Sequence, residues 1–270
     1  MKKNRTIPWL ILNGAAKSGS TWLVQLIRKT NTWTPIPNCF QQDGWRNSCV
    51  DETKLLDFVL HSLEDNKLYY TKQHWNSPRL IDQISARSKA IPIVANILRD
   101  PRDMVLSRYH HNLRHKLTDL PLNKWIKLES SKFILQNKIY HSNWVDWGAR
   151  NKNHYVYTVY EALHSDLSYY GSSFLIETHL KMGLNISEQQ AAACANLTEF
   201  NNIPDRHKGS GKFFRKGTAG AFVSEITKEE EDFILKLACD VGYAELINSV
   251  VDAWPWMRDF TCKYLEPSNR

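Results

Sequence analysis

Three short polar segments carry residue types that can do chemistry. The first is Gly14-Ala15-Ala16-Lys17-Ser18-Gly19-Ser20-Thr21-Trp22, between the apolar run Trp9–Leu12 and the helical pattern Leu23, Leu26, Ile27. A strand, a glycine turn and a helix in that order make an anion cradle. Backbone N–H groups at the helix N-terminus converge on the anion, and the glycines let it come close. Gly14, Gly19 and Thr21 keep the spacing of the nucleotide-hydrolysing loop G-x-x-x-x-G-K-[ST]. Ser20 stands where that loop has its lysine, and the lysine has moved to position 17. The spacing predicts a seat for a phosphate group that does not run ordinary Mg-ATP chemistry. The second segment is Lys72-Gln73-His74, whose histidine can take a proton from an acceptor at neutral pH. The third opens with Arg99-Asp100-Pro101 and carries Ser107. An arginine fork bonds two oxygens of a phosphate monoester at once. His111 and His115 have the i,i+4 spacing of a metal pair, but Asn112 replaces the glutamate of a zinc-peptidase helix and no third ligand is in view. They read as a solvated basic face.

These segments need a scaffold that brings them together, and the apolar pattern supplies one. Strand-like runs lie at Trp9–Leu12, Leu68–Lys72, Ile91–Leu98 and His154–Tyr160, with helical patterns at Thr21–Lys29, Glu52–Leu63, Pro78–Ala86 and Pro101–His115 between them. Such alternation predicts an α/β fold with a central parallel sheet and crossover helices. Asp100 is placed as a helix cap and Pro101 at the first helical position. In open parallel sheets, ligands bind beyond the carboxyl ends of the strands, where all three segments fall. Pro121–Arg150, Ser165–Met182, Ser187–Leu197 and Thr227–Val241 read as further helices, and Asn201–Gly220 as a polar, basic, glycine-rich loop. No linker is evident, so residues 1–270 read as one domain. Taken singly, each segment also has a plainer meaning: a glycine turn, the start of a polar loop, a charged helix start.

Taken in order, the segments resemble the sulfotransferases that use 3′-phosphoadenosine 5′-phosphosulfate (PAPS). Lys17-Ser18-Gly19-Ser20-Thr21-Trp22 is similar to that family's loop Y-P-K-S-G-T-T-W, with Ala15-Ala16 in place of Tyr-Pro. Lys72-Gln73-His74 resembles the K-T-H that holds the general base of the cytosolic, small-molecule branch. Arg99 and Ser107 match the two residues of R-[ND]-x-[KR]-D-x-x-x-S that hold the 3′-phosphate. Phe213-Phe214-Arg215-Lys216-Gly217-Thr218-Ala219-Gly220 resembles F-x-R-K-G-x-x-G-D-W, whose Arg-Lys-Gly grips the same phosphate; Ala221-Phe222 departs from its Asp-Trp. Tyr160-Glu161 is similar to a Y-E whose tyrosine approaches the nucleotide, and Thr198-Glu199-Phe200 to a T-S-F that contacts adenine opposite Trp22. The likeness runs from Gly14 to Gly220. It implies a P-loop-like sulfotransferase fold that passes a sulfuryl group from PAPS to a small-molecule hydroxyl or amine. His74 would be the base, Lys17 and Lys72 would neutralise developing charge, and Ser107 would bond Lys17. Lys17 to Trp22, Arg99, Ser107, Tyr160, Thr198, Phe200 and Arg215 to Gly217 would line the cofactor, without a metal.

Composition bounds the remainder. The 270 residues are 42% hydrophobic and carry a net charge of +7, enough for one large core with an attraction for polyanions. The basic residues are spread along the chain, which weighs against a nucleic-acid arm. Two rivals stand beside the transferase reading: a P-loop kinase, opposed by the absent Walker lysine, and a basic nucleic-acid-binding protein. The five cysteines form no C-x-x-C pair and read as reduced cytoplasmic thiols. Asn13 cuts the first apolar stretch too short for a signal peptide, and no run approaches the ~20 apolar residues of a membrane span. For the acceptor, Trp33, Phe40, Trp45, Trp75 and Tyr140 are candidate pocket walls, from loops taken to include Thr32–Val50, Trp75–Pro78 and Trp125–Trp147. Asp43, Asp51 and Asp146 are candidate partners for a cation. The compact length is similar to that of bacterial natural-product tailoring sulfotransferases, which implies a phenol, alcohol or amine acceptor; a saxitoxin-like guanidinium alkaloid is one expectation. The family's short dimerisation sequence is not recognisable near Val223–Glu230, so the sequence does not fix the oligomeric state.

Overall fold

In the computed structural model, residues 5–37, 40, 52–63, 67–88, 90–199, 202, 219–257 and 260 are described. Five strands form one sheet: β1 (Arg5–Asn13), β2 (Trp33–Pro35), β3 (Leu68–Gln73), β4 (Ala90–Leu98) and β5 (Tyr155–Val159). Their order is β2-β3-β1-β4-β5, and every pairing is parallel. Trp9 to Leu12 and Ile93 to Ala95 are fully buried, as continuous apolar strands are when a parallel sheet is covered on both faces.

The helices are α1 (Ser20–Lys29), α2 (Glu52–His61), α3 (Arg79–Ser88), α4 (Pro101–Arg114), α5 (Leu122–Arg150), α6 (Tyr160–Ser165), α7 (Ser172–Lys181), α8 (Glu188–Asn196), α9 (Lys228–Asp240) and α10 (Tyr243–Ala253). The four expected strands are present. β2 was not expected: it is three residues long, ends in proline and pairs at the sheet edge, where a missing N–H is tolerated. The single helix expected over Ser165–Met182 is instead broken. Asp166 leaves helical geometry and its side chain accepts from the Tyr169 N–H at 2.9 Å, opening a π turn at Leu167–Gly171 before α7. The expected closing helix is followed by α10, after Gly242 turns the chain at φ 73°.

α4, α5, α9 and α10 pack together, and α1, α7 and α8 form a second group. Arg102 locks α4 in place. Its guanidinium meets Asp100 and Glu231, each at 2.7 Å, with all three side chains buried. The Phe222 ring lies 4.1 Å from that guanidinium. Removing one partner of such a buried pair typically costs ~3–5 kcal/mol. Among the described residues, no helix is long and apolar enough to cross a membrane.

Candidate active site

The strand order decides where the polar segments meet. β3, β1, β4 and β5 are neighbours, and adjacent strands lie ~4.8 Å apart. Being parallel, they end on one edge: β1 runs into Gly14–Gly19, β3 into His74, β4 into Arg99 and β5 into Tyr160. The order reverses at β1, which is the switch point where open sheets bind ligands.

The loop after β1 is tightly curled. Gly14 is required by close approach: a Cβ there would lie 2.7 Å from the Ser20 Cβ and 2.9 Å from the Ser18 Oγ. Gly19 turns at φ 105° into α1, and a Cβ would strike the Tyr160 ring at 2.5 Å. The Trp22 N–H donates to the Gly19 carbonyl at 2.8 Å as α1 begins. Lys17 sits in the left-handed region at φ 72°, which costs a non-glycine residue ~1–2 kcal/mol.

The Lys17 ammonium has no hydrogen-bond or carboxylate partner among the described residues. Burial first, and then the charges of Arg114, Arg99, Arg108 and Lys72, lower its pKa to about 8. Arg99 donates from Nη1 to the Lys17 carbonyl at 3.4 Å and lies 4.0 Å from the Tyr160 ring centre. Asp103 and Glu161 stand 3.7 and 3.9 Å away, yet the buried Arg99 Nε makes no hydrogen bond among the described residues. Lys72 donates to the Thr21 hydroxyl at 3.0 Å. The site thus gathers cations around a helix N-terminus, with the Lys17 ammonium left without an anionic partner among the described residues, an arrangement suited to a phosphate or sulfate ester.

His74 is set by its neighbours. The Asn13 side chain holds the Trp75 backbone through its N–H (3.0 Å) and carbonyl (3.4 Å), and the Trp144 indole also donates to that carbonyl at 2.8 Å. The His74 Nδ1 lies 2.6 Å from the Gly14 carbonyl. A carbonyl can only accept, so Nδ1 carries the proton. In the neutral ring the lone pair is therefore on Nε2, the tautomer a general base requires.

The remaining expected site residues divide. Asp100 caps α4 as expected, accepting from the Arg102 N–H at 2.8 Å, with Pro101 first in the helix. Ser107 lies on α4 and makes no hydrogen bond to Lys17. Trp22 donates from Nε1 to the Thr198 hydroxyl at 3.0 Å and meets Tyr160 edge-on at 5.1 Å. Phe200, Arg215, Lys216 and Gly217 lie outside the described residues. Beyond them, Asp103 accepts from the Gly220 N–H at 2.8 Å and the Phe222 N–H at 3.2 Å. Phe222, where the resembled motif has tryptophan, serves as the platform for Arg102.

Two expectations for the acceptor side are corrected. Trp33 and Tyr140 are core: Trp33 packs edge-on against His179, and Tyr140 donates to Asn96 at 3.2 Å. Trp125–Trp147 is no loop but part of the 29-residue α5. Of the two histidines read as a solvated face, His115 is exposed and His111 is half-buried; burial followed by the charges of Lys17, His115 and Arg108 lowers the His111 pKa to about 3. Trp45, Asp43 and Asp51 lie outside the described residues; Asp146 is exposed.

An all-parallel sheet with a curled glycine loop at its switch point defines an α/β protein of the P-loop-like class. A family model described as "Sulfotransferase domain" matches residues 8–239, and the chain belongs to that family. No curated protein matches its sequence. Mouse sulfotransferase SULT7A1, solved with PAP, shares the fold with a TM-score of 0.64 at 15% identity, over 89% of this chain and 84% of that one. Retinol dehydratase, solved with retinol and PAP, gives 0.61 at 14% identity, over 88% and 82%. A sulfotransferase from Alicyclobacillus acidocaldarius gives 0.56 at 12% identity, over 91% and 96%.

Proposed function

We propose that this enzyme transfers a sulfuryl group from PAPS to a hydroxyl or amine of a small molecule, with His74 as general base. The observation that carries this reading is Lys17: a largely buried ammonium, forced into left-handed geometry, without an anionic partner among the described residues, on the loop whose Gly14 carbonyl fixes the His74 tautomer. PAP in two of the similar structures supports the choice of nucleotide. PAPS would supply the activated sulfuryl group. Ser18 to Thr21 hold the 5′ side through backbone amides and hydroxyls. Arg99, Ser107, Arg215, Lys216 and Gly217 hold the 3′-phosphate, and Trp22, Tyr160, Thr198 and Phe200 surround the base. His74 Nε2 takes the acceptor proton. Lys17 and Lys72 stabilise negative charge on the leaving oxygen, and such positioned charges supply most of the catalysis in related phosphoryl transfers.

The direct test is thermal. PAP is expected to raise the melting temperature, with a stabilisation of about 2.7 kcal/mol at a hundred times its Kd. Adenosine 5′-phosphate, lacking the 3′-phosphate, should do far less. Equal shifts from the two nucleotides at matched concentration would remove the 3′-phosphate site.

A second expectation concerns pH. Lys17 titrates at about 8 in the free protein, and a bound anion raises that value. Binding then takes up a proton, so affinity is full below the free pKa and is lost as pH rises through it. PAP should bind roughly ten-fold more weakly at pH 9 than at pH 7, as measured by calorimetry. Lys17→Met should flatten that dependence; an unchanged slope in the variant would assign it to another group.

A further inference from the structure

The chain that carries His74 runs from β3 through Trp75 and Asn76 to α3. Tyr140, Asn143, Trp144 and Trp147 have the i, i+3, i+4, i+7 spacing of one face of α5. All four donate hydrogen bonds around that segment. Tyr140 donates to Asn96 on β4 at 3.2 Å and Trp147 to Asp82 on α3 at 3.0 Å. Between them, Trp144 donates to the Trp75 carbonyl at 2.8 Å and Asn143 to the Asn76 carbonyl at 3.0 Å. A buried indole N–H usually finds a partner, but that tendency does not account for the pattern. The Trp9 and Trp33 indoles are buried and make no hydrogen bond among the described residues. Asn143 is only half-buried, where water would serve its amide as well.

The backbone has two soft dihedrals per residue, so holding the chain on both sides of a residue fixes it. Gln73, just before His74, is paired with Asn13 in the sheet. After His74, the Trp75 N–H is held by Asn13, the Trp75 carbonyl by Trp144 and the Asn76 carbonyl by Asn143. These groups belong to three successive peptide planes, the first of them attached to His74. The Trp75 ring is braced as well, edge-on to Trp9 at 6.2 Å. His74 then keeps only its side-chain torsions, and the bond from Nδ1 to the Gly14 carbonyl sets those. We propose that Asn143 and Trp144 are positioning residues for His74: by holding from α5 the chain that leaves the base, they keep Nε2 in one place and the ring in one tautomer. Both act through the backbone of Trp75 and Asn76. This rests on the reading of His74 as general base.

The test is read on the His74 ring itself, by nitrogen NMR of full-length protein labelled in its histidines, free and PAP-saturated, at a pH where the ring is neutral. The His74 signals are those absent from His74→Asn. The unaltered protein is expected to show the two well-separated ring nitrogens of the Nδ1–H form. In Asn143→Ala and Trp144→Phe the two signals should move toward each other as the second tautomer becomes populated. Asn143→Gln keeps an amide donor and should recover part of the separation, which repacking alone would not do. With any acceptor that the parent turns over, Asn143→Ala should lower kcat ~10–10²-fold, at an unchanged KM for PAPS. Asn143 lies at the edge of the core, so its variants carry the test if Trp144→Phe fails to fold. The proposal is overturned if the parent ring is already a tautomer mixture, or if Asn143→Ala matches the parent in its His74 signals or in kcat. If the signals converge while His74→Ala turns over like the parent, the positioning stands and the base assignment falls.

Discussion

His74→Ala is expected to lower the transfer rate by ~10²–10⁴, the usual cost of losing a positioned general base. PAP binding should stay within about two-fold of the parent, because the role proposed for the ring is toward the acceptor and not the nucleotide. The geometry makes the prediction sharp. Nδ1 is committed to the Gly14 carbonyl at 2.6 Å, so a side chain that cannot present a lone pair at the Nε2 position should not substitute. His74→Asn can still donate to Gly14 through its amide and should keep the loop in place, yet remain as slow as the alanine variant. Near-parent turnover in either variant, with any acceptor, would exclude His74 as the base.

Lys17→Met is expected to reduce kcat by ~10²–10³, in the range seen when one preorganised donor to developing charge is removed. PAP affinity at pH 7 should fall less, because an interaction that strengthens as the leaving oxygen gains charge shows in kcat. Single-turnover kinetics at saturating PAPS separate the two effects. A rise in the PAPS KM with kcat unchanged would make Lys17 a ground-state anchor.

Much of the fold was legible because fully buried parallel strands announce themselves. Trp9–Leu12 is a continuous apolar run and Ile91–Leu98 is interrupted only by Asn96, and the polar residue after each run marks the ligand edge. β2 was not legible: Trp33-Thr34-Pro35 is too short to show a period, and its pairing with Leu68–Tyr70 is a long-range event. The break at Asp166 was hidden because a side-chain cap on Tyr169 competes with helix continuation only once the chain is packed. In the site, residue types and spacing located Lys17, His74 and Arg99 on the sheet edge. They did not reveal the Asn13–Trp75 clamp that sets His74, nor the charge that Arg114 brings to Lys17. Both depend on the angle at which a distant element crosses the sheet.

Position 17 also has a consequence for directed evolution. Its φ of 72° and its partly buried ammonium, without an anionic partner among the described residues, are two local costs borne by one residue. Glycine would relieve both, since it accepts left-handed geometry without strain and carries no charge to desolvate. A library selected for heat resistance alone would thus be drawn toward Lys17→Gly, and under the proposed role of Lys17 its hardiest members would turn over slowly. On the proposed mechanism stability and turnover are opposed at this codon, so a campaign to harden the enzyme is expected to need this position held constant or a screen for product at every round.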